Sequence, residues 1–224
     1  RVRWMNQIAN RLGKCAKVTV GRIINFVKGN VLDFYSSEVL VLRYDALRLK
    51  LLGQIKQEIS EFVNNLTNIL YEDLGIKLTL ADYEYLQSYG TIIADITSGE
   101  IFWKLFNYGI TLQKMREKRK RVMNAINFFD SVVYNVMLDG LYKIIRSLVF
   151  KYLHSLDPHM EVVWVSMNGH FKHPICKKRS EFVLTLDKTE KIFENLYEER
   201  YNWLHPHFLC DGIFLPKEVS GMGK

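Results

Sequence analysis

Histidine and cysteine residues near the C-terminal end of the chain are the side chains best suited to chemistry. They form two clusters about thirty residues apart, with the patterns HxxHxxC and HxHxxC: His170, His173 and Cys176, then His205, His207 and Cys210. Thiolate and imidazole are the ligands that tetrahedral zinc prefers. The residue types therefore make a zinc site the first hypothesis to weigh.

The spacing within the first cluster argues against zinc. Residues 161 to 175 are expected to be extended, and side chains three positions apart in a strand point to opposite faces of the sheet. Pro174 is expected to keep this cluster out of a helix, so that His170 and His173 would not converge. The chain also has no CxxC pair. We therefore predict ordinary hairpin and loop residues here, with no metal and no cofactor.

The stretch that contains the first cluster, "MEVVWVSMNGHFKHPICKKRSEFVLTLD", has the pattern of a β-hairpin. Asn168-Gly169 suits a type I′ turn, because both central residues of that turn need positive φ, and β-prone runs flank it. We predict two antiparallel strands within 161 to 175, and "EFVLTL" could add a third. The following "KTEKIFENLYEERYNWL" is expected to return to helix, with three residues facing inward: Ile192, Leu196 and Trp203.

The rest of the chain has helical patterning. All four prolines lie after residue 157, so the earlier part can be helical without interruption. Within 36 to 71, one apolar stripe recurs at steps of four and three: Ile55, Ile59, Phe62, Leu66 and Ile69. Gly75 is expected to end this helix with a left-handed residue, and Thr79 with Asp82 to begin a short one.

A second apolar stripe extends over residues 112 to 150 at near-heptad spacing, through Leu112, Met115, Val122, Ile126, Phe129, Val133, Val136, Leu141, Ile144 and Leu148. A helix of that length cannot bury its stripe alone and must pack in a bundle. The sequence thus predicts a mainly α fold, an elongated antiparallel helical bundle with a small C-terminal β-hairpin. Residues 1–156 would form the bundle, and 157–224 the hairpin, a helix and a C-terminal loop.

Positive charge is concentrated in the run "KMREKRKR". The 224-residue chain has a net charge of +7, and six of its cations lie in this run: Lys114, Arg116, Lys118, Arg119, Lys120 and Arg121. Around a helix they could contact a polyanion such as a nucleic acid, and they could equally form a solvated helix face. No aromatic residue interleaves with the run, and no helix-turn-helix, zinc-finger or RNP pattern is present.

Several classes of protein are disfavoured. The chain has no GxSxG elbow, no GxGxxG after a strand and no HExxH, so we expect no catalysis from it. Its longest apolar stretch is interrupted by Asp139, Lys143 and Arg146, which argues against a membrane span. Three widely spaced cysteines favour a reducing, cytoplasmic compartment. Because the chain opens with Arg1 and has no closing element, we expect a segment of a longer protein.

Residues 132–175 combine a helical Asn-x-x-Leu-x-x-Leu pattern with a Pro-led apolar strand, a Gly-containing turn and a second extended run. The residues that form this pattern are Asn135, Leu138, Leu141, Pro158, Val163, Val165, Gly169 and Phe171. In this order of elements the segment resembles the stem of a dynein heavy chain. The resemblance implies a non-catalytic helical tail that carries a motor and binds other subunits. The microtubule-motor ATPase would then lie elsewhere in the parent chain.

Two functions of different classes follow. The first is a helical scaffold or interaction segment of a large cytoskeletal assembly, of which a dynein stem is the sharpest form. Its partners would be protein subunits, and its location the cytoskeleton or the ciliary axoneme. The alternative is a basic helical nucleic-acid-binding domain of a ribonucleoprotein, which would lose affinity steeply as salt rises.

Overall fold

Three long helices make up most of the helical structure. The computed structural model describes residues 2–35, 44–85, 87–88, 91–92, 94–95, 127 and 129–217. The long helices are α1 (Val2–Tyr35), α2 (Tyr44–Leu74) and α3 (Tyr134–Leu156), and a π-helical turn at Phe129–Val133 leads into α3. Both α2 and α3 pack against α1. No helix in these ranges is both long and apolar enough to cross a membrane.

Helices α1 and α2 lie antiparallel. Arg11, near the start of α1, pairs with Glu72 and Asp73 near the end of α2, whereas Arg22, further along α1, pairs with Glu61. Residue numbers thus rise along α1 as those of their partners fall along α2, which is the pattern of antiparallel helices. These pairs are largely exposed and each contributes little stability, so the pairing of the helices depends on the apolar faces between them.

The apolar stripe predicted for α2 is confirmed. Ile55, Ile59, Phe62 and Leu66 are all buried in the core. Gly75 follows the last residue of α2 with φ at +65°, the left-handed value that a side chain disfavours and that commonly ends a helix. Residues 36–43, where this helix was expected to begin, lie outside the described ranges.

The predictions of a helix start at Thr79 and of a second apolar stripe can be compared with the structure only where residues are described. A capping box begins the turns at 80–85, because the Asp82 N–H donates to Thr79 Oγ1 and the Thr79 N–H donates to the Asp82 carboxylate. Leu141, Ile144 and Leu148 of α3 are buried as expected. The part of the stripe from Leu112 to Ile126 lies outside the described residues. The mainly α class is thus confirmed, while the elongated bundle stays a prediction.

A three-stranded antiparallel sheet follows α3. Strand β1 (Glu161–Ser166) lies in the centre, between β2 (Val183–Thr185) and β3 (Gly212–Pro216). Along β1, Val163 is opposite both Val183 of β2 and Leu215 of β3. All five residues of β3 are buried, which explains why its sequence "GIFLP" is apolar without alternation.

The predicted β-hairpin is wrong, and so is its type I′ turn. Gly169 has φ at +88°, but Asn168 lacks the positive φ that this turn requires at both central residues. The chain turns over 166–169, where the Gly169 N–H donates to the Ser166 carbonyl oxygen. The chain then enters α4 (Pro174–Arg179) in place of a second strand, and both edges of β1 are occupied by β2 and β3. Pro174 is the cause, because proline has no N–H for a strand ladder and suits the first turn of a helix. The strand suggested for "EFVLTL" is confirmed as β2.

The helix predicted after residue 187 is also wrong in extent. Only a 3-10 turn at Leu186–Lys188 and a single turn, α5 (Thr189–Ile192), are helical. Ile192 is exposed, and Arg200 has φ at +73°, which no helix accommodates. From 193 to 211 the chain has no regular helix or strand, so its backbone polar groups need other partners.

One continuous core connects the helices with the sheet. Buried residues of α1, α2, α3, β1 and β3 belong to the same cluster. After Leu156, the end of α3, the chain changes from long helices to short elements, but the hydrophobic core is continuous across that point. Gly13 of α1 lies against the backbone that follows β1. A Cβ atom there would lie 2.4 Å from the carbonyl oxygen of Met167, just after β1.

Candidate metal centre

Three buried side chains from two distant segments converge beside β1. Cys176, His207 and Cys210 each offer a ligand atom, and the three atoms lie within 4.8 Å of one another. The Cys176 Sγ is 3.0 Å from His207 Nε2 and 3.4 Å from Cys210 Sγ. All three residues are almost fully buried. Two sulfurs and one imidazole in this arrangement form the donor set of a zinc site.

Helix α4 brings Cys176 into the cluster. His173 is its N-cap residue with an extended backbone, and Pro174 occupies the first helical turn. Cys176 therefore lies on the inner face of a single helical turn, opposite the exposed Lys177 and Lys178. An extended chain would have separated the neighbouring side chains onto two faces, and this helical turn is the feature that the sequence-based expectation lacked.

The loop that carries His207 and Cys210 is fixed by two charged residues of α3. The Asp139 carboxylate accepts the Leu209 N–H at 2.7 Å. The guanidinium of Arg146, which is 1% exposed, donates to the carbonyl oxygens of Gly212 and Cys210 and bonds the His205 ring. These contacts satisfy the backbone of a segment without regular structure and hold the two ligands in place.

The tautomer of His207 follows from its second contact. Its Nδ1 lies 2.8 Å from the carbonyl oxygen of Phe208, an acceptor, so Nδ1 must carry the proton. The neutral ring then has its lone pair on Nε2, which is the atom that faces Cys176. A backbone carbonyl that fixes the far nitrogen is the usual arrangement behind a metal-binding histidine.

Charge around the cluster favours thiolate at one sulfur. Burial raises the pKa of the Cys210 thiol, but the hydrogen bond from Cys176, the charge of Arg146 and the contact with His207 together lower it well below its usual value. The hydrogen bond with Cys210 and burial raise the pKa of Cys176, against the opposing effects of the Trp164 indole and Arg179. The two thiol pKa values are thus shifted in opposite directions, and a bound divalent cation would favour thiolate at both sulfurs.

Arg179 is a second buried cation beside the sulfurs. It is fully buried, and its guanidinium donates to the carbonyl oxygens of Leu196 and Trp203. Within the described residues, neither Arg146 nor Arg179 forms an ion pair with a carboxylate. Two buried guanidinium groups without carboxylate partners favour negative charge nearby, and the cysteine sulfurs can supply it.

The distances fit zinc better than a disulfide. Two sulfurs bound about 2.3 Å from one tetrahedral zinc lie about 3.8 Å apart, so the observed 3.4 Å requires only a small outward shift. A disulfide would need the sulfurs to approach to about 2.05 Å, a movement of more than 1 Å in a packed interior. Cys15 lies on α1, and all three cysteines are free.

The six histidine and cysteine candidates separate into two groups. The prediction that they would not converge is wrong for Cys176, His207 and Cys210. His170 is exposed, and His205 is held by Arg146 and Ser147. Burial, with the charges of Arg146 and Lys143, lowers the pKa of His205 to about 3, so this ring is neutral. The sequence signal for the cluster was the His-x-x-Cys spacing of residues 207 and 210 together with proline at a helix start.

The supporting arginines were not predicted from sequence. Arg146 and Arg179 look like ordinary surface cations in a one-dimensional pattern, and their role is visible only from the carbonyl oxygens that surround them. The basic run at 114–121 lies outside the described residues, so a polyanion contact there stays a prediction, and the nucleic-acid alternative with it.

No protein-family model matches the sequence, and neither the comparison with curated proteins nor that with solved structures gives a significant match.

Proposed function

We propose that this chain is a non-catalytic scaffold or interaction protein whose C-terminal part is fastened to a helical body by a structural zinc ion. The observation that carries the proposal is the convergence of Cys176, His207 and Cys210 from two segments about thirty residues apart. A metal there would tie α4 to the loop before β3. It would thereby hold the irregular stretch 193–211 in place beside the sheet.

The energetic case follows from the shortage of regular structure in that stretch. A segment without helix or strand gains little from backbone ladders, and it must offset the conformational entropy lost on ordering. Zinc binding to thiolate and imidazole supplies folding free energy directly, because the site does not exist in the unfolded chain. Small zinc modules use the same means to compensate for a small core.

The surroundings of the cluster support a structural role over a catalytic one. A catalytic zinc needs an open position and a free acid or base near it. Carboxylates around the cluster already have partners, among them Glu198, which contacts His173 Nε2. Asp139 accepts from Leu209 and pairs with Lys143, and Asp211 accepts from the Ser166 hydroxyl at 2.6 Å.

The scaffold part of the proposal has a separate support. Three long helices with buried apolar faces provide a stiff body, and several large apolar side chains on it remain exposed, including Leu49 and Tyr71 of α2. Exposed apolar side chains that are scattered singly are ordinary on a protein surface, so the support for a scaffold is the helical body. Whether the parent assembly is cytoskeletal, as the resemblance to a dynein stem implies, is a narrower proposal that depends on the resemblance.

The proposal is tested by metal content. The full chain, purified under reducing conditions without added chelator, is expected to contain about one zinc per molecule by elemental analysis. Cys176→Ser, Cys210→Ser and His207→Ala should each lose most of that zinc and melt at a lower temperature. Cys15→Ser is the matched control, since Cys15 lies on α1 outside the cluster.

Three outcomes would overturn the zinc proposal. The first is native protein that neither contains zinc nor is stabilised by added zinc. The second is equal metal content in Cys210→Ser and Cys15→Ser. The third is a mass two hydrogens lower than the reduced chain, with a peptide linking Cys176 to Cys210, because that result would identify the sulfurs as a disulfide.

A further inference from the structure

The two ligand segments share a spacing that extends beyond the three converging residues. His207 and Cys210 are separated by two residues, and His173 and Cys176 are separated in the same way. A separation of two residues is common for paired zinc ligands, because it lets both side chains reach one ion from a tight turn. One His-x-x-Cys pair contributes both members to the cluster, and the other contributes Cys176 alone. His173 is thus the first residue to consider for a fourth ligand.

The ring of His173 already lies beside the cluster. Its centroid is 3.8 Å from that of His207, with 20° between the ring planes. His207 Nε2 in turn faces Cys176. The His173 ring would have to move for one of its nitrogens to reach the same point, since its ligand atoms are not among those that already converge.

The contacts of His173 leave one nitrogen suited to a metal. Its Nε2 lies 3.0 Å from Glu198 Oε1, and its Nδ1 accepts a long, 3.3 Å hydrogen bond from the Ile175 N–H. Nε2 therefore carries the proton and Nδ1 the lone pair. A carboxylate behind the protonated nitrogen of a ligating histidine orients the ring and increases its basicity. The Ile175 N–H is in the first turn of α4, where water can replace the lost acceptor.

We propose that His173 is the fourth ligand, bound through Nδ1, and that Glu198 holds its ring, so that the site is a closed Cys2His2 centre. The inference rests on the proposed metal binding. It also completes the argument for a structural ion, because the competing arrangement has a water in the fourth position. That water would be open to the groove of about 610 Å³ that His173 and His207 line together with Tyr142, Lys172 and Phe208.

Cobalt substitution separates the two arrangements through the effect of removing His173, because the visible bands of tetrahedral Co²⁺ change in position and intensity when a protein ligand is lost. The full chain titrated with Co²⁺ is expected to show intense tetrahedral bands and charge-transfer absorption from two thiolates. His173→Ala should bind Co²⁺ at least about tenfold more weakly, with weaker visible bands. Glu198→Gln should lose about 10- to 100-fold in affinity and keep the tetrahedral spectrum.

Two further variants control for folding and for position. His170→Ala changes an exposed histidine three residues earlier and should leave the spectrum and the affinity unchanged. His173→Cys should restore the tetrahedral bands and add charge transfer from a third thiolate, which a merely folding-related role of His173 would not produce.

The possible failures are distinguishable. If the unaltered chain binds no Co²⁺, the proposed metal binding itself fails. If it binds Co²⁺ and His173→Ala gives the same spectrum and affinity, the metal site stands with three protein ligands and the assignment of His173 is overturned.

Discussion

The helical body and the C-terminal region of this protein are held together by different means. Helices α2 and α3 each pack an apolar face against α1, and the charged side chains of the three helices lie mostly on the outside. Residues 157–217 share that apolar core through β1 and β3, and they add buried polar contacts of Arg179, a cysteine pair and His207. Long helices can stabilise a fold by buried area alone, whereas short elements and loops need directional bonds.

Helix α3 makes both kinds of contact, apolar and polar. Its apolar side packs on α1, while Asp139 and Arg146 on the same helix bind the backbone of the loop before β3. The C-terminal region is thus anchored on a helix that the apolar body has already positioned. This dependence implies that damage to the body affects the whole protein, and that damage to the polar contacts affects the C-terminal region first.

The largest effect of a single substitution is expected in the apolar body. Phe62 of α2 is 0% exposed, so Phe62→Ala should leave a cavity and lower the free energy of unfolding by about 3–5 kcal/mol. The midpoint of urea denaturation, followed by circular dichroism, measures the change. Leu49→Ala, at an exposed position of the same helix, should shift it by less than about 0.5 kcal/mol. Equal shifts for the two variants would contradict the assigned core.

A slightly smaller effect is expected from the buried guanidinium. Arg146→Met keeps an apolar chain of similar length but leaves the Gly212 and Cys210 carbonyls without their donor. Unsatisfied buried carbonyls should cost about 2–4 kcal/mol. The tryptophan fluorescence of Trp164 and Trp203 should report loosening before the helical circular dichroism changes. Lys143→Met, one turn earlier and partly exposed, should cost less than about 1 kcal/mol.

The contact between the helical body and the C-terminal region can be tested at two glycines of α1, Gly13 and Gly21. A Cβ atom at Gly13 would lie 2.4 Å from the Met167 carbonyl oxygen, whereas one at Gly21 of the same helix would meet nothing within 4 Å. Gly13→Ala should therefore destabilise by about 1–3 kcal/mol through overpacking. Gly21→Ala should stabilise by about 0.5–1 kcal/mol, because alanine favours the helix. Thermal melting of both variants would show shifts of opposite sign. Shifts of the same sign would contradict the close contact between Gly13 and Met167.

The smallest effect is expected at the helix start after α2. Thr79→Ala removes the capping hydroxyl of 80–85 and should cost about 1 kcal/mol. The hydrogen bond from Thr79 holds the pKa of the Asp82 carboxyl below its usual value. This contribution is therefore present above about pH 4 and is lost as the carboxyl becomes protonated at lower pH. Denaturation at pH 7 and pH 3 should show a cost that shrinks in acid; a cost independent of pH would exclude the Thr79–Asp82 contact.

The same contrast explains how much the sequence could predict. The stripe from Ile55 to Leu66 and the left-handed Gly75 follow from helical periodicity and local backbone preference, and both were predictable. Strand β1 was predictable for the same reason, whereas the type I′ turn predicted at Asn168-Gly169 did not form. Local signals do not determine which distant segment pairs with a strand, and β1 pairs with β3, which begins 46 residues after β1 ends.

The prediction for the candidate site depended on the backbone conformation assumed at Pro174. Pro174 was interpreted as a residue that prevents a helix, and it begins one. Proline is compatible with an extended chain and with a first helical turn, so the residue alone does not decide between them. Had the helical alternative been followed, Cys176 would have been placed on an inward face. Its convergence with Cys210 would still have required the contacts of Arg146, which no spacing rule reveals.

Hydrogen exchange with and without chelator tests the central claim, that a metal ion fastens the C-terminal region to an independently held helical body. Amide protection in the full chain would be compared before and after zinc removal under reducing conditions. We predict that protection falls in 174–179 and 205–216 and is retained in the centres of α1 and α2. Unchanged protection throughout, or equal loss in both regions, would contradict the claim.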